Sequence, residues 1–466
     1  MIKKSFKVLV FLAIVVLAFF LRRRDYAQIP IPGQSVDEYS YSWVGLSLLK
    51  TGMPIGISGI SGYQNQFPRY INVDRLYQTL SSDPLTINYP WMDHPPLLGL
   101  ITGGYATFSG ANVFEDTSSL LIRRPIIIIG TISVALLMIF VWINFGFFSS
   151  VLSGLIYATT PLVVLSSRMI QAENAIIPCL LAVMICLSLY FKSQKDYWLI
   201  FTAIISGLAT LFKLTGIVCY LYVFLILLFE HKKINQKFIK DFSFYLLIAL
   251  PISSLFLFYG LSYGFKNFFA IFFSNTNRFY GIGSSAIIDL IRNQRLTQHK
   301  FLPEIWLFLG WFTFLFSLIK KNFFSHTSSV NIAIFSYLIV YLIFGSQPYG
   351  WYTFPFWPFL IISLSVWIIN SLKQNQYILI SFILSLILMG SNISRVIGIF
   401  DFQPVAPWWR FGLTLILFIL FIKFIVKNSK NLIFKALIII FITIALYFNL
   451  RYFNLINLDF WWQNIS

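Results

Sequence analysis

The chain has 466 residues, of which 58% are hydrophobic, 19% aromatic and only 11% charged, and its mean hydropathy is +0.78. A soluble protein of this length exposes far more charge, so the composition excludes a water-soluble enzyme and predicts an integral membrane protein built from helices. The net charge of +18 would suggest nucleic acid on a soluble chain; here it reads as membrane orientation and affinity for anionic lipid, with no nucleic-acid partner.

The apolar runs are continuous rather than alternating, which also excludes an outer-membrane barrel. Thirteen spans are predicted, near 6–21, 125–143, 150–166, 174–191, 197–213, 215–230, 242–260, 304–319, 329–345, 353–370, 377–391, 411–426 and 432–450. Arg22-Arg23-Arg24 follows the first run where a signal peptide would carry small residues, so that run is expected to stay as a span. Cys179, Cys186 and Cys219 all fall inside apolar runs. They read as small buried residues, neither a disulfide framework nor a metal site.

Lysines mark the short turns after the spans: Lys192 and Lys195; Lys232, Lys233, Lys237 and Lys240; Lys320-Lys321; Lys427 and Lys430. Positive charge in short loops marks the cytoplasm, so the N-terminus is expected inside and, after an odd number of spans, the C-terminus outside. Under that topology only Asp196, Glu230 and Asp241 among the acids lie inside, and all 14 arginines lie at or beyond the outer interface. Longer outer loops account for the acids. Arginine also suits bidentate phosphate contacts better than lysine does.

The chain then reads as a single membrane domain with a long first outer loop, 22–124, a second at 261–303 and a short outer tail, 451–466. In the first loop, Asp37 to Lys50 carries Tyr41, Val44 and Leu48 at helical spacing and is expected to lie along the membrane surface, ending at Gly52. Residues 53–92 are rich in Gly, Ser, Asn and Pro and are expected to be turns. Pro95 to Phe108 is apolar but short, and is predicted as a second juxtamembrane or re-entrant helix. There is no Rossmann glycine fingerprint, no Walker motif and no paired-cysteine zinc pattern.

The polar motifs follow a recognisable order. Asp37-Glu38 opens the first-loop helix and Thr51-Gly52 ends it. His94-Pro95-Pro96-Leu97 comes next, then Arg123-Arg124 before the second span, Glu173 in SRMIQAEN, Gly207-Leu-Ala-Thr-Leu-Phe-Lys213, and Tyr352-Thr-Phe-Pro355-Phe-Trp-Pro358. This order resembles the polyprenyl-phosphate-dependent glycosyltransferases of the GT-C fold, and within them is similar to the protein O-mannosyltransferases and lipid A aminoarabinose transferases. The resemblance covers the first 230 or so residues well and the rest by topology. It departs at 53–92, longer than the usual link, and at the short tail, so it does not define the acceptor. The resemblance implies an all-α GT-C membrane fold with juxtamembrane helices in the first outer loop. It also implies transfer of a sugar, with inversion, from a lipid-linked donor to a lipid, glycan or protein acceptor on the extracytoplasmic side of a bacterial or archaeal membrane.

The same resemblance makes Asp37 the general base and places His94, Lys213 and Arg124 at the donor phosphate, with Glu38, Asp93 and Glu173 in support. Residue chemistry leaves a plainer reading beside each. Asp37 sits where a helix N-cap would. His94 before Pro-Pro suits a structural residue, although Asp93 beside it would favour its cationic form. Lys213 in an apolar segment is expensive unless paired, and snorkelling to the interface is its alternative. Glu173 is placed to neutralise Lys213 or Arg168. At least two of Arg22, Arg23 and Arg24 read as headgroup anchors. No cofactor is expected; a divalent metal finds no acidic cluster beyond Asp37, Glu38, Asp93 and Glu173. Two rivals remain at this level, a transporter of lipid-linked glycans and an inactive scaffold of the same fold. Charge gathered at one interface rather than at the bilayer midplane counts against the transporter.

Overall fold

In the computed structural model, the described residues are 3–35, 37–74, 84–276, 302–319, 321–344, 349–374, 392–399 and 431–458. Scattered positions at 287–300, 386–418 and 461 are described as well. The helices are α1 (Lys4–Arg23), α2 (Asp37–Thr51), α3 (Leu97–Phe108), α4 (Arg124–Phe145), α5 (Phe147–Thr159), α6 (Pro161–Ser166), α7 (Ala172–Ser193) and α8 (Asp196–Phe212). They continue with α9 (Val218–His231), α10 (Gln236–Ser262), α11 (Phe265–Thr276), α12 (Ile305–Ile319), α13 (Lys321–Phe344), α14 (Trp357–Lys373), α15 (Asn392–Ile399) and α16 (Asn431–Leu455).

Among the described residues, eight helical stretches are long and apolar enough to cross a membrane: Lys4–Arg23, Ser119–Phe145, Ala172–Ser193, Leu214–His231, Gln236–Ser262, Thr327–Phe344, Gly350–Lys373 and Ile438–Leu455. Each corresponds to a predicted span. Phe147–Thr159, Tyr197–Phe212 and Ile305–Ile319 are apolar but shorter, and the spans expected at 377–391 and 411–426 lie almost wholly outside the described residues. The run expected as one span at 150–166 is two helices. Pro161 cannot continue the α5 hydrogen-bond ladder, so the chain breaks at Thr160 and restarts with proline in the first turn of α6. The cysteines are free, Cys186 and Cys219 buried and Cys179 half-buried.

The first loop departs from expectation in two ways. Helix α2 has the predicted bounds, but residues Glu38 to Ser47 are all buried, so it does not rest one face on a membrane surface. It is gripped by α3 at a very close crossing. A Cβ on Gly45 would stand 1.8 Å from the Gly99 carbonyl oxygen, and one on Gly103 would stand 2.3 Å from that of Ser42. Small residues four apart on α3 let the two backbones touch, as they do at helix pairs in membranes. Gly45, Gly99 and Gly103 are thus packing residues.

Residues 53–92 are not only turns. They form a three-stranded antiparallel sheet, ordered β1-β3-β2, from β1 (Gly56–Ile57), β2 (Asn65–Arg69) and β3 (Leu85–Tyr89). Gly56 pairs with Asn88, and Asn65 with Tyr89. Strands of two and five residues carry too little alternation to be read from sequence. Ser40 of α2 donates to the Ile57 carbonyl at 2.6 Å, and the Trp91 indole donates to the same oxygen at 2.9 Å. The sheet is thereby fixed to the helix that begins with Asp37.

Candidate active site

Two buried arginines organise the chain around the start of α2. Arg123 grips Glu38 with two bonds, Nε to Oε1 at 2.5 Å and Nη2 to Oε2 at 2.8 Å, and neither side chain is more than 3% exposed. Its Nη1 donates to the carbonyls of Tyr26 and Pro30, both at 2.7 Å. Arg168 donates to the carbonyls of Ile29 and Leu21 at 2.9 and 2.7 Å. The Gln171 amide bonds Ser35 at 2.5 Å, two residues before Asp37. The segment between α1 and α2 is thus tied down by side chains from the residue that precedes α4 and from the α6–α7 connection. Of the three arginines that follow the first span, Arg22 is buried, whereas Arg23 and Arg24 are exposed.

Asp37 begins α2 half-buried. One helical turn further on stands Tyr41, fully buried. Burial drives the Tyr41 hydroxyl well above its ordinary range, and the charges of Asp37, Glu173 and Asp93 together with Tyr352 push the same way. That hydroxyl stays protonated at any working pH. His94 stacks on Tyr41, with ring centroids 5.7 Å apart and planes at 19°, and meets Trp91 edge-on at 6.0 Å.

Lys213 is 5% exposed, at the break between α8 and the turn that leads to α9. Its Nζ donates to Glu173 Oε1 at 2.6 Å and sits 4.3 Å from the centre of the Tyr352 ring. Asp37 is within electrostatic reach of both Lys213 and Tyr352. Pairing with Glu173, not snorkelling, is therefore how this chain accommodates the lysine. An ammonium carries three donors, so a bond to Glu173 leaves others for an arriving oxyanion.

The remaining expected residues fall in different places. Asp93 is enclosed: Ser58 donates to Oδ2 at 2.6 Å, Tyr63 to Oδ1 at 2.5 Å, and the Asn275 side chain to its carbonyl at 2.8 Å. Its role is to join the sheet, the His94 loop and α11. Glu38 is spent on Arg123. Arg124 is exposed, and its guanidinium bonds the hydroxyls of Tyr26 at 3.2 Å and Tyr105 at 3.4 Å. These tie it to the segment after α1 and to α3 rather than to the Lys213 pair. Sequence reasoning did not single out Tyr41, Tyr63, Ser58, Asn275 or Tyr352 as site residues. Tyr41 had a signal in its helical spacing from Asp37, and Tyr352 opens one of the ordered motifs; Ser58, Tyr63 and Asn275 had none. Among the described residues, no three His, Cys, Asp or Glu side chains are grouped so as to hold a metal ion.

With this geometry in hand, comparison with known proteins is informative. Residues 93–259 match the family model for dolichyl-phosphate-mannose-protein mannosyltransferase. That stretch includes His94, Glu173 and Lys213 and begins after Asp37. No curated protein sequence matches the chain. Among solved structures, ArnT from Cupriavidus metallidurans bound to undecaprenyl phosphate is similar over 97% of this chain and 77% of its own, at 14% identity and a TM-score of 0.50. The apo oligosaccharyltransferase of Archaeoglobus fulgidus matches over 97% of this chain at 11% identity, with a TM-score of 0.53. In a complex with an inhibitory peptide and a dolichol-phosphate, that archaeal enzyme, AglB, matches at 12% identity and a TM-score of 0.50. The chain spans 56% and 55% of those archaeal structures. The chain thus has the GT-C membrane fold of these glycosyltransferases, and over residues 93–259 it is similar to the dolichyl-phosphate-mannose-protein mannosyltransferases.

Proposed function

We propose that the protein is a membrane glycosyltransferase that moves a sugar from a polyprenyl-phosphate carrier to an acceptor hydroxyl on the extracytoplasmic side, with inversion. The observation that carries this reading is a buried cation, Lys213, paired with Glu173 at 2.6 Å, in a fold whose Asp37 opens the helix on which His94 stacks through Tyr41. Undecaprenyl phosphate and dolichol-phosphate accompany structures of this fold, which supports a lipid-phosphate donor.

A sugar on a phosphate already has a good leaving group, so the protein has two tasks. Asp37 takes the proton of the acceptor hydroxyl as its oxygen attacks the anomeric carbon. The sugar–phosphate C–O bond breaks from the opposite face, and its electron pair leaves with the phosphate. Lys213, and His94 in its cationic form, neutralise that charge in surroundings where fixed cations act strongly. Asp93, held on both oxygens, positions His94. One displacement gives inversion.

The test separates the two tasks. Asp37→Asn keeps shape and polarity but takes no proton; donor binding should survive while single-turnover rate falls by about 10²-fold or more, the usual worth of a general base. An Asp37→Asn protein of normal stability that turns over at near-normal rate would remove Asp37 from the mechanism.

A further inference from the structure

Helix α11 has a face that neither the core nor the candidate active site uses. It is 12 residues long, Phe265–Thr276, about 18 Å at the usual rise, far short of a bilayer's roughly 30 Å hydrocarbon core. It follows α10, a candidate span, after two residues. Gly264, with φ of 102°, turns the chain there. A Cβ on Gly260 would lie 2.2 Å from the Phe268 ring, so α11 folds back onto the end of α10 instead of prolonging it.

The two sides of α11 differ. Phe268 and Ile271 face inward and join Ile60, Tyr63, Met92 and Phe256 in a small core of their own. Phe265 and Phe273 face outward, 68% and 56% exposed. Phe269 stands between them, with ring centroids 4.5 Å from Phe265 and 5.8 Å from Phe273. Phe269 is itself half-buried against the small core, so the ridge is two exposed rings joined by one that is rooted in the protein. A helix facing water carries polar residues along such a ridge. Exposed Lys266 flanks it at the end nearest α10. The inner side is also bonded to the site. Ser274 and Ser61 share a 2.6 Å hydrogen bond, and Asn275 donates to the Asp93 carbonyl at 2.8 Å. Gly62, at φ of 101°, lets the chain pass where a Cβ would be 3.0 Å from the Ala270 carbonyl oxygen.

We infer that α11 is a bilayer-docking helix: Phe265 and Phe273 enter the acyl-chain boundary of the membrane, and from there the helix braces the Asp93–His94 loop. The partner is the lipid bilayer itself, because the ridge emerges where a membrane span ends and because its length and apolar outer face suit the interfacial plane. The inference does not depend on which reaction the site performs.

Nitroxide labels on single cysteines test it. With Cys179, Cys186 and Cys219 replaced, labels are placed at Phe265→Cys, at Phe273→Cys and, as an aqueous reference, at Tyr70→Cys, which is 73% exposed in the first loop. In liposomes of neutral and anionic phospholipid, collision with oxygen should exceed collision with a water-soluble nickel chelate at 265 and 273, and the order should reverse at 70. A nickel-accessible signal at 265 and 273 equal to that at 70 would overturn the inference, since the ridge would then face water. So would an immobilised signal shielded from both relaxants, which would place protein, such as a second copy of the chain, over the ridge. A Phe273→Cys protein that fails to fold leaves Phe265→Cys to decide by the same criterion.

Discussion

The Glu38–Arg123 pair offers the sharpest test of how the site is held. Glu38→Gln preserves volume but leaves the Arg123 guanidinium without its counter-charge. Both side chains are at most 3% exposed, so solvent cannot replace the lost partner. Removing one member of a buried pair typically costs about 3–5 kcal/mol, which is at least on the order of a hundredfold in a folding equilibrium at 1.4 kcal/mol per tenfold. Two of the guanidinium's bonds, to the Tyr26 and Pro30 carbonyls, remain and hold the loss toward the lower end. The internal control is Arg69–Glu115, a 3.2 Å pair with side chains 40% and 34% exposed. Such pairs are worth about 0–1 kcal/mol, so Glu115→Gln should be close to neutral. The assay is the folded fraction of purified protein across an SDS titration in mixed micelles, read by size-exclusion profile and circular dichroism. Equal midpoints for Glu38→Gln and Glu115→Gln would refute the argument that burial makes the first pair matter. Because Glu38 adjoins Asp37, turnover should also fall in Glu38→Gln at temperatures where the protein remains folded.

Three further outcomes are expected. Gly45→Ala should fail to fold or lose several kcal/mol, about the top of the range for overpacked sites, because its Cβ would overlap the Gly99 carbonyl; Gly104→Ala, whose Cβ would meet only Leu49 Cδ1 at 3.4 Å, should express normally, and equal yields would contradict the α2–α3 crossing. Lys213→Met should weaken donor binding and destabilise the protein, whereas Lys213→Met/Glu173→Gln should recover stability but not donor binding, since the double variant leaves no buried unpaired carboxylate; parallel recovery of both would show that Lys213 serves only to neutralise Glu173. For topology, cysteines placed at Lys233 and Tyr70 should react with a membrane-impermeant maleimide from opposite sides, and labelling of both from one side would overturn the assignment of lysine-rich turns to the cytoplasm.

The sequence by itself determined the solvent and the general architecture. Continuous apolar runs can only be satisfied as helices in lipid, because each helix closes its own backbone hydrogen bonds without reference to distant chain. For that reason Lys4–Arg23 and Ala172–Ser193 could be read to within two residues at each end, and Gln236–Ser262 as a span that begins six residues earlier than expected. Lys213 was also legible as an anomaly, because a charge in an apolar segment is conspicuous wherever it falls. Its partner was visible only as a choice between two neutralisation schemes, and tertiary structure selected Lys213–Glu173. The burial of α2 was not legible. Its sequence is half polar, and what encloses it is a backbone-to-backbone contact through Gly45, Gly99 and Gly103, where the informative feature is a missing side chain. The sheet at 56–89 escaped for a related reason: strand pairing is a property of two segments, and neither β1 nor β2 is long enough to announce itself. The stacking of His94 on Tyr41, the capture of Asp93 by Ser58, Tyr63 and Asn275, and the choice of Arg123 over Arg124 as the buried partner of Glu38 all depend on contacts across 30 to more than 180 residues. Local periodicity is silent about such contacts, and only the packing of the helices against one another decides them.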